Sequence, residues 1–536
     1  MSTDFDLAHS YGGVPFDRTL PIEPTIIAHI AARALSQGDD PFLTAARADG
    51  GVVTLTYRDL EALSRRVSSW VRRRLGAGSG DVLALVPTNE ASSVVTLFGA
   101  LRAGCALLLL SPADPAGRLR QLAEALGAKA VLRSPDVAAD VLPEAIPVPE
   151  AASLEDGAAS DPDPAVEPRA DALFFGTSGS TATSKLVAQS HYAAAVNAEA
   201  LRRHHGLKRG DRLLGCLPIH HVNCLHFTIF ATLAAGAHAV LAHAFDPFGY
   251  PRLVERFRPR IASVVPSILE ALLGVWRQPA LPGDFEYFVS AAAPLTARTA
   301  RAVREKLGAR ILQGYGLTET TNFSTTMPAD LSEDAYRAHM LDVEIPSIGA
   351  ALYGNEVAVL DRGGERAAPG EIGEICMRGH NVMTRYAGND EATAEAFRGG
   401  WFHSGDLGYE IDDRRDGRRY FTITGRSKNI AKVRGESVSL DEMDRVLRAL
   451  PRVEDAACVA LQHPLLGEEI VAAIAGSQAA VGDAEILAHL RAVFAPAVLP
   501  RRLVRLEAIP RTPTGKLLRA DLARRLAALV GAAPER

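Results

Sequence analysis

Hydroxyl-bearing residues closed by a lysine form the first stretch where chemistry can be read: Phe174-Phe-Gly-Thr-Ser-Gly-Ser-Thr-Ala-Thr-Ser-Lys185. An apolar strand runs into a Gly/Ser/Thr-rich turn, whose hydroxyls and free backbone N–H groups can surround phosphate oxygens while the lysine adds charge. A flexible polar loop would have the same composition. A Walker loop needs glycine before its lysine and Ser or Thr after it; Ser184 and Leu186 stand there. A nucleophile elbow needs G-x-S-x-G, and Gly176-Thr-Ser-Gly-Ser180 ends on the wrong residue. Only seven of the 58 basic residues are lysines (129, 185, 208, 306, 428, 432 and 516), so a lysine here can mark a place for a compact, flexible charge. His220, His221 and His226 are of a type that binds zinc, but no Cys or carboxylate follows at ligand spacing.

The elements that must position these residues alternate. Thr56-Tyr-Arg-Asp-Leu opens a helix with Leu60, Leu63, Val67, Trp70 and Val71 on one face. Val82 to Val86 reads as a buried strand, Val94 to Ala103 as a helix and Ala106 to Leu110 as a strand again. The same alternation continues through strands at 172–175, 261–265, 287–289 and 310–312, with a helix over 296–307. Such alternation implies parallel sheets covered by helices. Glu155 to Arg169 reads as an exposed Pro/Asp-rich loop. Tyr409–Asp412 and Arg419–Thr424 form a hairpin, and a small mixed segment follows Gly425. The fold class is therefore α/β: a large N-terminal body of helix-covered sheets plus a small α+β C-terminal domain.

At 536 residues the chain needs at least two cores. Its net charge of −5 provides no basic field for nucleic acid. The five scattered cysteines lack metal-ligand spacing and fit a reducing cytoplasm. The longest apolar stretch, about 226–242, is broken by Gly236 and His238, which leaves no membrane span and suggests a buried helix leading into a strand.

The 174–185 run resembles the T-S-G-S/T-T-G-x-P-K signature of the adenylate-forming (AMP-binding) superfamily, which includes acyl-CoA synthetases, luciferases and stand-alone adenylation domains. Thr177, Ser178, Gly179, Ser180, Thr181 and Lys185 match it, while Ala182 and Ser184 replace a glycine and a proline. Further stretches follow in the family's order. Gln313-Gly-Tyr-Gly-Leu-Thr-Glu-Thr320 resembles the YGxTE element, which implies that Gly314 and Tyr315 meet adenine, Thr318 the phosphate, and Glu319, with Thr181, Mg²⁺. Ser290-Ala-Ala-Ala-Pro-Leu295 resembles the segment lining the adenine and acyl pocket, with Ala292 and Ala293 against the ligand. Asp406, in Trp401-Phe-His-Ser-Gly-Asp406, takes the place of the ribose-binding carboxylate. In Gly425-Arg-Ser-Lys-Asn-Ile-Ala-Lys-Val-Arg-Gly435, Arg426 would also reach the ribose and Lys428 would be the hinge. Lys432 and Gly435 would border the pantetheine arm. Pro510-Arg-Thr-Pro-Thr-Gly-Lys516 resembles the family's tail, whose lysine contacts the α-phosphate and the attacking carboxylate. His221, in Pro218-Ile-His-His221, takes the place of a histidine gating the acyl pocket.

The resemblance implies an ATP- and Mg²⁺-dependent ligase that converts a small carboxylic acid to its acyl-adenylate and then to a thioester of coenzyme A. Its expected domains are 1–425, binding ATP and acid, and 426–536, turning about 426–428. A stand-alone enzyme loading a carrier-protein phosphopantetheine, and a catalytically weak nucleotide-binding relative, share these motifs.

Overall fold

The computed structural model describes residues 3–20, 22–47, 49–154, 163–176, 185–277, 280–434, 436–463, 467–476, 481–512 and 515–531. The helix Tyr57–Leu75 begins at a capping box: Thr56 Oγ1 accepts from Asp59 N at 3.1 Å, and Asp59 Oδ2 accepts from Thr56 N at 2.9 Å. It buries Leu60, Val67 and Val71 against the helix Ala91–Arg102. The approach is close: a Cβ on Gly99 would lie 2.4 Å from Val67 Cβ. Ala91–Arg102 is buried nearly all round, which explains its apolar sequence. Buried Arg102 ion-pairs with Glu61 and, at 3.0 Å, with Asp163. The reading of 155–169 as an exposed loop is corrected here for its later residues: Asp163 also accepts from Ser68 at 2.7 Å, and Arg169 donates to Phe16 O at 2.8 Å. A buried guanidinium needs a carboxylate, and this loop supplies one. Residues 155–162 lie outside the described residues.

Two large sheets share one apolar core. In the first, Val82–Val86, Ala106–Leu109, Ala130–Arg133 and Asp171–Gly176 run parallel, and Leu186–Ser190 and Arg385–Tyr386 extend the edge antiparallel. In the second, Arg212–Gly215, His238–Ala242, Ile261–Val264, Tyr287–Ser290 and Arg310–Tyr315 are parallel neighbours. The stretch 226–242 contains a π-helix, Asn223–Phe230, then the helix Ala231–Ala235, a left-handed Gly236, and the strand His238–Ala242. Among the described residues no helix is long and apolar enough to cross a membrane.

A third, antiparallel sheet joins Asn355–Leu360, Gly373–Gly379, Phe402–Asp413 and Arg418–Arg426; the last two strands are the expected hairpin, longer at both ends. From Ile430 onward the chain builds a separate five-stranded sheet. Its long strands, Asp455–His463 and Gly467–Ala475, alternate strictly. Ala456, Cys458, Ile470 and Ala472 join one core, and Ala457, Val459, Val471 and Ala473 join the opposite one. All five cysteines are buried free thiols.

Candidate active site

The strand Arg310–Tyr315 ends in a turn that only glycine permits. A Cβ on Gly316 would stand 1.7 Å from the Asn322 carbonyl oxygen, so the chain folds back directly on itself. Thr321, at φ 67°, completes the reversal and is held by a hydrogen bond to Asn381 O at 2.5 Å. Tyr315 stands at the end of the strand before the turn, and Thr318 and Glu319 in the short helix Thr318–Thr320 after it. Below it, Gln189 Nε2 donates to Thr318 O at 2.8 Å, and Gln189 Oε1 meets His226 Nε2 at 2.9 Å. Burial lowers the His226 pKa to about 3, so this imidazole is neutral and serves as a support under the turn.

Tyr315 donates its hydroxyl to Asp406 Oδ2 at 2.7 Å. The same carboxylate ion-pairs with Arg426, whose second contact is 3.3 Å from Oδ2. Asp406 is almost wholly buried, on a bend where Gly405 adopts φ 71° and Asp406 N donates to Ser404 Oγ at 2.9 Å. Burial, then Asp406, pushes the Tyr315 phenol well above its ordinary range, so it remains a donor. Burial works against the Arg426 charge, but Asp406 outweighs it and the pKa rises. A carboxylate accepts about four hydrogen bonds, so Asp406 retains capacity beyond these partners.

Glu374 Oε1 accepts from Gly405 N, and its Oε2 pairs with His403 Nδ1, both at 2.8 Å. Cys376 Sγ lies 3.4 Å from the same nitrogen. Glu374, Cys376 and His403 thus cluster with metal-like spacing. Arg398 at 3.1 Å from Glu374 already neutralises the carboxylate, and the cluster serves to hold the bend before Asp406.

Glu319 is fixed from a segment that sequence reasoning passed over. Tyr386 donates to Glu319 Oε1 at 2.9 Å, and Met383 N donates to Glu319 O at 2.7 Å. Lys185 Nζ lies 4.3 Å from the centroid of the Tyr386 ring. Thr177, Ser178, Gly179, Ser180 and Thr181 lie outside the described residues. Among the described residues no hydrogen bond or ion pair occupies Glu319 Oε2, which leaves a hard oxygen donor suited to Mg²⁺.

Lys516 enters from the small domain. Thr512 N donates to Lys516 O, and Gly515 N to Thr512 O, both at 2.8 Å, closing a tight turn with Gly515 at φ 82°. Arg511 braces it through two contacts of 2.8 Å to Asp455. Gly515 rests against the large body: a Cβ there would be 3.1 Å from Ser267 Oγ and 4.0 Å from Ala293 Cβ. Neighbouring Ala292 adopts φ 69°, in the left-handed region that favours glycine. Burial, followed by the charges of Arg426 and Lys428, lowers the Lys516 pKa to about 8, while Glu319 and Asp406 oppose the shift.

Lys428 lies in the short turn Ser427–Asn429, between strand Arg418–Arg426 and strand Ile430–Val433. Its pKa is lowered by surrounding protein and then by Arg426. Asp441 ties this turn down, accepting from Arg426 N at 2.8 Å and from Asn429 Nδ2 at 3.0 Å. Contacts and charge interactions therefore link Lys185, through Tyr386, to Glu319, and Glu319, Asp406, Arg426 and Lys428 to Lys516, with Tyr315 on Asp406. Lys432 faces elsewhere, with Ser437 on its ammonium and Glu468 on its backbone N–H. Gly435 lies outside the described residues, and its neighbour Arg434 has φ 52°. His221 opens to solvent beside His220, with 4.5 Å between ring centroids; the protein walls around it lower its pKa, and Asp114 opposes this.

Comparison with known proteins gives concordant matches. A family model described as AMP-binding enzyme matches residues 30–387, and the AMP-binding enzyme C-terminal domain matches 442–516. The chain is 31% identical to a sulfoacetate–CoA ligase of Cupriavidus necator over 530 residues, covering 94% of this chain and 99% of the relative. It is 31% identical to a feruloyl-CoA synthase of an Amycolatopsis species, covering 90% and 96%. The crystal structure of ATP-bound MatB from Rhodopseudomonas palustris superposes with a TM-score of 0.80 at 27% identity, covering 95% of this chain and 100% of that one.

Proposed function

We infer the function from one premise: the chain belongs to the AMP-binding enzyme family. It is an ATP-dependent acid–CoA ligase of the AMP-forming type. In the first half-reaction a carboxylate oxygen of a small acid attacks the α-phosphorus of ATP, the bond to the bridging oxygen breaks, and pyrophosphate leaves. In the second, a thiolate sulfur attacks the acyl carbon, the bond to the phosphate oxygen breaks, and AMP leaves.

The observation that best supports a role for each residue is the arrival of Lys516 from the small domain in the field of Glu319, Asp406, Arg426 and Lys428. In this reading Asp406 accepts from the ribose hydroxyls with Arg426 beside it, and Tyr315 flanks the base. Lys185 and the 177–181 loop take the outer phosphates. Lys516 holds its ammonium against the α-phosphate and the incoming carboxylate, where negative charge gathers. Thr318 lies beside the same phosphate, Gly314, Ala292 and Ala293 border the ligand, and His221 gates the acid. Glu319 and Thr181 would hold Mg²⁺, which when bound would neutralise phosphate charge. Residues 1–425 and 426–536 act as separate bodies about Lys428. Rotation of the small one withdraws Lys516 and brings Lys432 and Gly435 to the pantetheine arm.

The test is a panel of carboxylic acids assayed for pyrophosphate release, with CoA present or omitted. Acid-dependent pyrophosphate release, with AMP and an acyl-CoA formed when CoA is the only thiol, is the expected result. A requirement for a carrier protein would move the acceptor from CoA to a protein-borne pantetheine. Absence of acid-dependent pyrophosphate release across the panel would contradict adenylation.

A further inference from the structure

Among the described residues, Tyr386 touches both the phosphate-loop lysine and the carboxylate assigned to the metal. Strand Arg385–Tyr386 pairs antiparallel with strand Leu186–Ser190, with Tyr386 opposite Val187, so the ladder delivers its ring next to Lys185. Its hydroxyl reaches Glu319 Oε1 at 2.9 Å, and its ring centroid lies 4.3 Å from Lys185 Nζ. The surrounding backbone is held on every side. Tyr386 N donates to Thr393 Oγ1 at 3.0 Å, Ala387 N to Leu186 O at 2.7 Å, and His9 meets Met383 O at 2.8 Å. Arg385 pairs with Asp171 at 2.6 Å. The position of Tyr386 is therefore a property of the fold.

Lys185 and Glu319 are long, flexible and oppositely charged, and they would collapse onto each other if nothing stood between them. No ion pair joins Lys185 to Glu319. An aromatic face attracts an ammonium without neutralising it, and a phenol O–H occupies one carboxylate oxygen while leaving the second free. A phenol is protonated at neutral pH and so donates to the carboxylate. We propose that Tyr386 is a positioning residue for adenylation, a spacer that keeps the Lys185 ammonium and the Glu319 carboxylate apart so that each stays available to the nucleotide and its cation. This inference rests on the reading that Lys185 and Glu319 serve ATP and Mg²⁺.

The experiment compares wild type, Tyr386→Phe, which keeps the ring, and Tyr386→Leu, which keeps neither function. Three quantities are measured: the Mg²⁺ concentration giving half-maximal acid-dependent pyrophosphate exchange, calorimetric ATP affinity without Mg²⁺, and thioester formation from supplied acyl-adenylate. Tyr386→Phe should need roughly tenfold more Mg²⁺, the effect of losing one hydrogen bond to a charged group, with metal-free ATP affinity unchanged. Tyr386→Leu should also weaken metal-free ATP binding, by about threefold or more. Both variants should form thioester from supplied acyl-adenylate at close to the wild-type rate. In a Glu319→Gln background, Tyr386→Phe should raise the Mg²⁺ requirement no further. A wild-type Mg²⁺ requirement in Tyr386→Phe, equal losses in both half-reactions, or an undiminished effect in the Glu319→Gln background would each overturn the inference. A wild type without exchange for any acid would overturn the adenylation reading as well, whereas active wild type with an indifferent Tyr386→Phe overturns this inference alone.

Discussion

Lys516 carries its charge at a cost when the cleft holds no nucleotide, and that cost can be read as protons. Burial and the nearby cations Arg426 and Lys428 bring its pKa from the ordinary 10.5 to about 8, a penalty of about 3 kcal/mol on the charged form. The penalty is present below about pH 8, where folded Lys516 is charged. It is relieved as pH rises toward 10.5, because over that interval the unfolded chain binds the extra proton. ATP brings negative phosphates to the same place and should restore the higher pKa, so binding at pH 8.5 should take up about three quarters of a proton at this site. Titration calorimetry in two buffers of different ionisation enthalpy measures the uptake directly. Lys516→Gln should abolish this component, lower acid-dependent pyrophosphate exchange by roughly a hundredfold or more, and spare thioester formation from supplied acyl-adenylate. Identical proton uptake in wild type and Lys516→Gln would refute the placement of this lysine against the phosphates. Equal loss of both half-reactions would refute its assignment to the first.

Three further perturbations have defined outcomes. Asp406→Asn removes the charge facing Arg426 and turns one of the two oxygens shared by Arg426 and Tyr315 into an N–H donor, so the KM for ATP should rise by roughly tenfold, as initial rates would report. Gly316→Ala forces a Cβ onto the Asn322 carbonyl; it should destabilise the protein by about 1–3 kcal/mol, seen in denaturant melts, and should impair exchange more than thioester formation. Glu344→Ala removes an ion pair from the large body to Arg445 on the small-domain helix Leu440–Ala449. Because Glu344 is highly exposed, such a pair is worth no more than about 1 kcal/mol, and adenylation should change by less than about fivefold in single-turnover measurements.

The fold was legible where periodicity and turn chemistry agree. The 57–75 helix shows its cap at Thr56 and its buried stripe in the letters alone, and the hairpin ending at Arg426 shows its turn. Boundaries moved by a few residues, as expected where backbone hydrogen bonding decides the last turn. The 223–230 π-helix was invisible because its apolar composition fits any buried helix. Asp163 looked like part of an exposed loop because its partner, Arg102, lies 61 positions away at the end of a largely apolar helix. Tyr386, Gln189 and Asp441 escaped notice for a similar reason. Each acts through side-chain contacts to segments outside its own element, and neither composition nor spacing encodes such contacts. The motif residues were found because their order along the chain resembles a family; the structure links Tyr315, Glu319, Asp406, Arg426, Lys428 and Lys516 through contacts and charge, and leaves Lys432 facing elsewhere.

Determination of a structure with a nonhydrolysable acyl-AMP mimic tests that convergence most directly. The ribose hydroxyls should lie on Asp406, the base beside Tyr315, and the Lys516 ammonium on the phosphate mimic. A ligand bound away from these three residues, or a Lys516 unable to reach it in any orientation of the small domain, would contradict the assignment.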